Sequence, residues 1–146
     1  MEQIRGIECS LNGDSMYLFL EFIVQENYNY YSPWLLKTSK DKLLPESTPN
    51  INITQKSVLE LKNYGLWEMV LHMYPPGVLP ATIHTYDDFL KSECIGCFIY
   101  YDCGFLDIYI KKPVLFERIW NKLSSLNAED MTVLTDENDR RTALSV

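Results

Sequence analysis

Apolar positions recur with strand-like alternation over residues 4–11, and the run closes on the turn signal Asn12-Gly13. Asp14 or Ser15 can cap a helix over residues 15–25, because a capping oxygen satisfies an amide that lacks an intrahelical acceptor. The apolar positions of that helix, Met16, Leu18, Phe19, Leu20, Phe22 and Ile23, cover more than one face, which predicts a largely buried element. Residues 28–37 form an aromatic strand candidate, weakened by Pro33, which cannot donate a ladder hydrogen bond. Thr54 can cap a helix through Asn63, with Val58 and Leu61 facing inward and Gly65 stopping it. Residues 67–74 read as a strand ended by Pro75-Pro76-Gly77.

In the second half, Thr85 and Asp88 resemble a capping box that opens a short helix over residues 86–91. Residues 97–102 and 105–111 read as a hairpin, with Gly104 expected to supply positive φ. Pro113 suits the first turn of a helix to about Leu123, whose stripe is Phe116, Ile119, Trp120 and Leu123. Residues 131–134 form another strand, and residues 143–146 can add a short one. The segment 38–52 reads as a loop with at most a short strand at Leu43-Leu44. The pattern predicts an α+β fold: a single mixed, mostly antiparallel sheet of about six strands with three to four helices.

The chain has 146 residues, and no linker or repeat divides it, so one domain over residues 1–146 is expected. At this length roughly 70% of the unfolded surface is buried on folding, so the four cysteines are not needed as staples. The formal net charge is -7, which disfavours nucleic acid and anionic membrane surfaces as partners. Apolar stretches such as Met16 to Leu20 are far short of the about 20 residues a membrane span needs. A soluble cytosolic protein with reduced thiols is the expectation.

Candidate chemistry is sparse. Cys94-Ile95-Gly96-Cys97 supplies two of the four soft ligands a structural zinc needs, with Cys103 nearby and Cys9 far upstream. Thiols packed as small hydrophobes are the favoured reading, and no metal or cofactor is expected. The two histidines, His72 and His84, have no partner spacing that suggests a base and nucleophile. A core or sheet-face role suits His72 better than catalysis. The acidic run from Glu129 to Asp139 lacks the central Gly and terminal Glu of a calcium loop, and reads as a solvated turn. The aromatic stretch Tyr28-Asn29-Tyr30-Tyr31-Ser32-Pro33-Trp34 is the most distinctive composition. Alternation sends Tyr28 and Tyr30 one way and Asn29 and Tyr31 the other, so one face belongs to the core.

Four stretches carry a resemblance: Arg5-Gly6-Ile7, Tyr74-Pro75, Thr85 through Leu90, and the closing Thr135-Asp136-Glu137-Asn138-Asp139-Arg140-Arg141-Thr142. Together they resemble a family of small proteins of Gram-positive spore-forming bacteria that bears only a domain-of-unknown-function label. The resemblance implies a bacterial, cytosolic origin. The family has no assigned activity, so no catalytic residue is carried over.

The leading expectation is a non-enzymatic protein-interaction module of the immunity or anti-defence kind. It would bind a protein partner through Tyr28, Tyr30, Tyr31, Trp34, Asp136 and Asp139. The alternative is a small-ligand-binding domain or enzyme whose pocket draws on His72, the aromatic strand and Cys97. A third is a metal-stabilised fold using Cys94, Cys97 and Cys103.

Overall fold

A computed structural model describes residues 3–24, 28–33, 37–38, 51–102, 104–139 and 141–144. The element order is β1 (Ile4–Ser10), α1 (Gly13–Val24), β2 (Asn29–Ser32), β3 (Lys37–Thr38), β4 (Ile51–Ile53) and α2 (Gln55–Tyr64), then β5 (Leu66–Tyr74), α3 (Tyr86–Lys91), β6 (Gly96–Tyr101), β7 (Phe105–Ile110), α4 (Pro113–Ser125) and β8 (Glu129–Thr135). Seven strands form one sheet in the order β4-β2-β5-β6-β7-β1-β8, and β3 pairs separately with β5. The class is α+β as expected. The sheet has seven ordered strands rather than about six, and each pairing among the described residues is antiparallel rather than mixed.

Several elements form for the reasons their residues suggest. The Thr54 side chain accepts from the Ser57 amide to open α2, and Gly65 closes it at φ 71. Thr85 and Asp88 form a reciprocal capping box on α3. Pro113 starts α4. Three local details differ. Asn12, read as a turn residue, is the cap of α1: its Oδ1 accepts from the Ser15 amide at 2.9 Å. The left-handed residue of the β6–β7 turn is Asp102, at φ 51, and not Gly104. The loop reading of 38–52 missed β4, whose Ile51-Asn52-Ile53 alternation pairs with β2. The Leu43-Leu44 strand, Cys103 and Trp34 lie outside the described residues.

The strand period divides the side chains between two faces. Ile7, Met69, Leu71, Met73, Phe98, Tyr100, Leu106 and Ile108 form a core with α1, α2 and α4. Phe19 of α1 packs on Phe98 with ring centroids 6.2 Å apart. The second face carries Val70, Tyr74, Cys97, Ile99 and Tyr109, covered by Ile83, Phe89 and Leu144. Its cover is thin: α3, the loop 75–85 and the closing segment 141–144. Tyr74 holds the loop by accepting from the Ala81 amide at 3.0 Å. An isolated bridge joins Thr85 to Ala143, where a short closing strand was expected.

At one edge of the sheet a side chain meets two backbone groups of β8. Asn138 accepts from the Thr135 amide at 2.8 Å and donates to the Val133 carbonyl at 2.9 Å. Its amide thereby meets the outward-facing backbone groups of β8 as a neighbouring strand would. Among the described residues no helix is long and apolar enough to cross a membrane.

Candidate functional site

The polar residues of the molecule converge on the second face, at the β1–β8 end of the sheet. The cause begins in β1. Between Ile4 and Gly6 the register against β8 shifts, placing one extra residue, Arg5, in β1. Such a bulge re-aims a side chain, and Arg5 turns onto the second face. Gly6 follows because a Cβ there would collide with the Ile108 carbonyl oxygen of β7. A larger residue cannot let the two strands approach this closely.

Arg5 meets four groups from distant parts of the chain, one of them the Arg141 carbonyl, to which its Nη1 donates at 3.4 Å. Its Nε donates to Asp136 Oδ1 at 2.8 Å. Its Nη1 lies 3.5 Å from Asp139 Oδ2. Its guanidinium carbon stands 4.2 Å from the centroid of the Tyr86 ring, a cation–π arrangement. Tyr86 is fixed as the first residue of α3, and its amide donates to the Thr142 carbonyl at 2.7 Å. Beneath it lies Tyr109, with ring centroids 5.6 Å apart.

A second charge pair lies alongside. Arg141 Nη2 donates to Asp107 Oδ2 at 2.7 Å. Asp107 is buried, and among the described residues neither its Oδ1 nor the buried hydroxyl of Tyr109 has a hydrogen-bond partner within bonding geometry. Burial pushes the Asp107 carboxyl up, opposed by Arg141. Glu8 is also pushed up, first by desolvation and then by the carboxylates of Asp107 and Asp139. Among the described residues the cluster sets four carboxylates, Glu8, Asp107, Asp136 and Asp139, against the two guanidinium groups of Arg5 and Arg141.

Over this cluster opens a cleft of about 560 Å³, lined by Gln3, Arg5, Tyr86, Asp87, Leu90 and Asp136, with Thr85, Arg141 and Thr142 completing the wall. Three of the four stretches that carried the family resemblance meet here: Arg5-Gly6, Thr85 to Leu90, and Thr135 to Thr142.

The sequence-expected residues divide between two places. Asp136 and Asp139 belong to the cleft region, as partners of Arg5. The aromatic stretch sits on β2, near the opposite edge of the strand order, so the structure does not bring the two together. Tyr30, expected as a binding residue, lies on the core side of the alternation and is fully buried, with its hydroxyl donating to the Ile23 carbonyl at 2.6 Å. Tyr28 is half-buried against the helix-face core. Tyr31 is half-buried on the other face, edge-on to Tyr74 at 5.9 Å. Trp34 lies outside the described residues. Arg5, Tyr86 and Arg141 were not named as site residues. The resemblance stretches contained all three, and that was the signal available.

The remaining candidates are internal. His72 is fully buried on the second face, between Tyr31 and Cys97 in register, and among the described residues neither ring nitrogen has a hydrogen-bond partner. Burial lowers its pKa from 6.5 to about 4, so the imidazole is neutral at neutral pH. Cys9, Cys94 and Cys97 are buried free thiols. Burial pushes Cys9 and Cys94 up to about 12 and Cys97 well above its usual value, the opposite of an activated nucleophile. No group of three or more His, Cys, Asp or Glu that could hold a metal occurs among the described residues.

Fold and site define a small α+β protein in which one antiparallel sheet carries a larger, helix-covered apolar core on one face and a smaller core with polar groups beside it on the other. The chain belongs to the family described as Protein of unknown function (DUF2691), which matches residues 15–145. It is 32% identical over 88 residues to "Uncharacterized protein YncE" of Bacillus subtilis (strain 168). That alignment covers 60% of this chain and 58% of the relative, so the match spans less than two thirds of the relative's length. The match agrees with the resemblance read from the sequence, an uncharacterised family of Gram-positive bacteria. No solved structure matches.

Proposed function

We propose that this protein is a non-enzymatic protein-interaction module of a bacterial cell, and that it recognises its partner at the cleft between β1, α3 and the closing segment. The observation that carries this reading is the cleft itself, an open concavity whose polar wall is held in place by the Arg5–Asp136–Tyr86 assembly. Preorganised walls bind without an ordering cost at the moment of contact. The aromatic contribution first expected from Tyr28 to Trp34 is narrowed to the half-buried Tyr28 and Tyr31, which lie at the other end of the sheet. Asp136 and Asp139 keep their assignment to the recognition surface.

Two matched variants test the reading by co-purification of the tagged protein from its native cell. Leu90 lines the cleft and is 47% exposed, and Leu18 of α1 is 49% exposed on the opposite side of the sheet. Arginine at either position places a bulky charge on the surface at similar cost to the fold. The expected result is a partner lost with Leu90→Arg and retained with Leu18→Arg. Equal capture by both variants refutes the cleft as the recognition site.

A further inference from the structure

The charge of the cleft wall is not distributed evenly with depth, and the difference identifies what fits. The two guanidinium groups are recessed: the side chains of Arg5 and Arg141 are 18% and 25% exposed. Both already face carboxylates, Arg5 at Asp136 and Asp139, and Arg141 at Asp107. The carboxylates at the mouth are open: the side chain of Asp136 is 49% exposed and that of Asp87 is 70% exposed. Asp87 is held by Lys91 at 2.8 Å, one helical turn away on the solvent side of α3. An anion entering the cleft would have to displace Asp136 or Asp139 from Arg5. A cation would meet the exposed carboxylates of Asp87 and Asp136 first, sharing Asp136 with Arg5 and taking the place of the exposed Lys91 at Asp87. Leu90 lies in the same wall, and offers an apolar surface to the methylene stem of a long basic side chain.

From this we infer that the cleft docks a basic segment of a protein partner, receiving a Lys or Arg side chain between Asp87 and Asp136 with its stem against Leu90. The inference rests on the cleft being the recognition surface. The surroundings agree with it: the cluster beneath contains Glu8, Asp107, Asp136 and Asp139 against Arg5 and Arg141, and the whole chain carries -7. A cation brought to the mouth relieves part of that excess, and the same field steers a basic partner inward.

The test uses the full chain and a short fluorescein-labelled peptide of alternating Arg, Lys and Gly, read by fluorescence anisotropy. A peptide of equal length with Glu in place of Arg and Lys serves as the opposite-charge probe. The Asp87→Asn, Asp136→Asn double variant removes both charges at the mouth, while the amide oxygen introduced at position 136 can still accept from Arg5. The Glu60→Gln, Glu117→Gln double variant removes the same charge from exposed positions on α2 and α4. Loss of two direct charge contacts is expected to weaken the basic peptide by about tenfold or more. The Glu60 and Glu117 variant should bind within about twofold of the parent, because those charges act only through the screened long-range field. Equal weakening by the two variants overturns the proposal, since it reduces binding to bulk acidity. Preferred binding of the Glu peptide also overturns it. No binding of either peptide, with the Leu90-dependent partner still captured, overturns the basic-segment assignment and leaves the cleft reading standing. No binding together with Leu90-independent capture removes both.

Discussion

On the helix-covered face, Phe98, Ile108 and Ile7 stand side by side across three strands, all fully buried and all apolar. One residue along, the same strands turn Ile99, Asp107 and Glu8, and beside them Cys97, Tyr109 and Gly6, toward the second face. The first face is closed by three helices. The second is closed by one short helix, a loop and the closing segment. Apolar packing contributes most of the stability of such a domain, so the helix face carries the fold. The second face holds buried polar atoms that lack partners among the described residues, the ring nitrogens of His72, Asp107 Oδ1 and the Tyr109 hydroxyl. Such atoms cost stability. They stand on the face that also carries the cleft.

That contrast can be broken experimentally, beginning with the largest effect. Phe98→Ala removes a ring from the centre of the helix face, and should cost about 3–5 kcal/mol in urea unfolding. A loss below about 1 kcal/mol would mean that the helix face is not the main source of stability.

The second prediction concerns His72 and acid. Folding lowers its pKa from 6.5 to about 4. As pH falls, the unfolded chain takes up the proton first, so stability is full above the unfolded value and is lost through the window from 6.5 to about 4. The loss should total about 3 kcal/mol for this one group. His72→Leu should flatten the profile in that window, and add about 1 kcal/mol at neutral pH by removing two unpartnered buried nitrogens. An unchanged pH profile in the variant would assign the acid sensitivity to other groups.

Third, Arg141→Met leaves the Asp107 carboxylate buried without its guanidinium. The expected loss is about 2–3 kcal/mol, below that of a fully buried pair because Arg141 is partly exposed. Replacing both residues with apolar ones should recover part of that loss. Additivity of the two single changes would show that the pair is not coupled.

The smallest effect is local. Thr85→Ala removes the hydroxyl that accepts from the Asp88 amide and should cost about 1 kcal/mol. It should also loosen α3 over the cleft, read as faster amide exchange at Tyr86 and Phe89 than at Val58 of α2. Equal exchange in the variant and the parent would show that the cap does not hold the cover.

The sequence was legible where a rule is local. The Thr85 box, the Pro113 start and the Thr54 and Gly65 ends of α2 each depend on residues a few positions apart, and all three stand as expected. Asn12 misled because the same residue type starts turns and caps helices. The β4 strand was too short, at three residues, to stand out from its polar neighbours. In the cleft, Asp136 was visible as an acidic residue, but its partner Arg5 is 131 positions away. Strict alternation from Ile7 would have sent Arg5 to the helix face. Only the bulge reverses it, and a bulge is a property of two strands in register rather than of one strand's composition.

The side-chain amide of Asn138 has a consequence beyond the turn it occupies. Sheets grow by accepting further strands, and an open border is a template on which neighbouring molecules polymerise. At Val133 and Thr135 that template is already filled from within the same chain. An Asn138→Ala protein would expose it, and concentrated solutions should then form thioflavin-positive fibres sooner than the parent. One short polar residue thereby occupies, at one end of the border, the two backbone groups that a further strand would need.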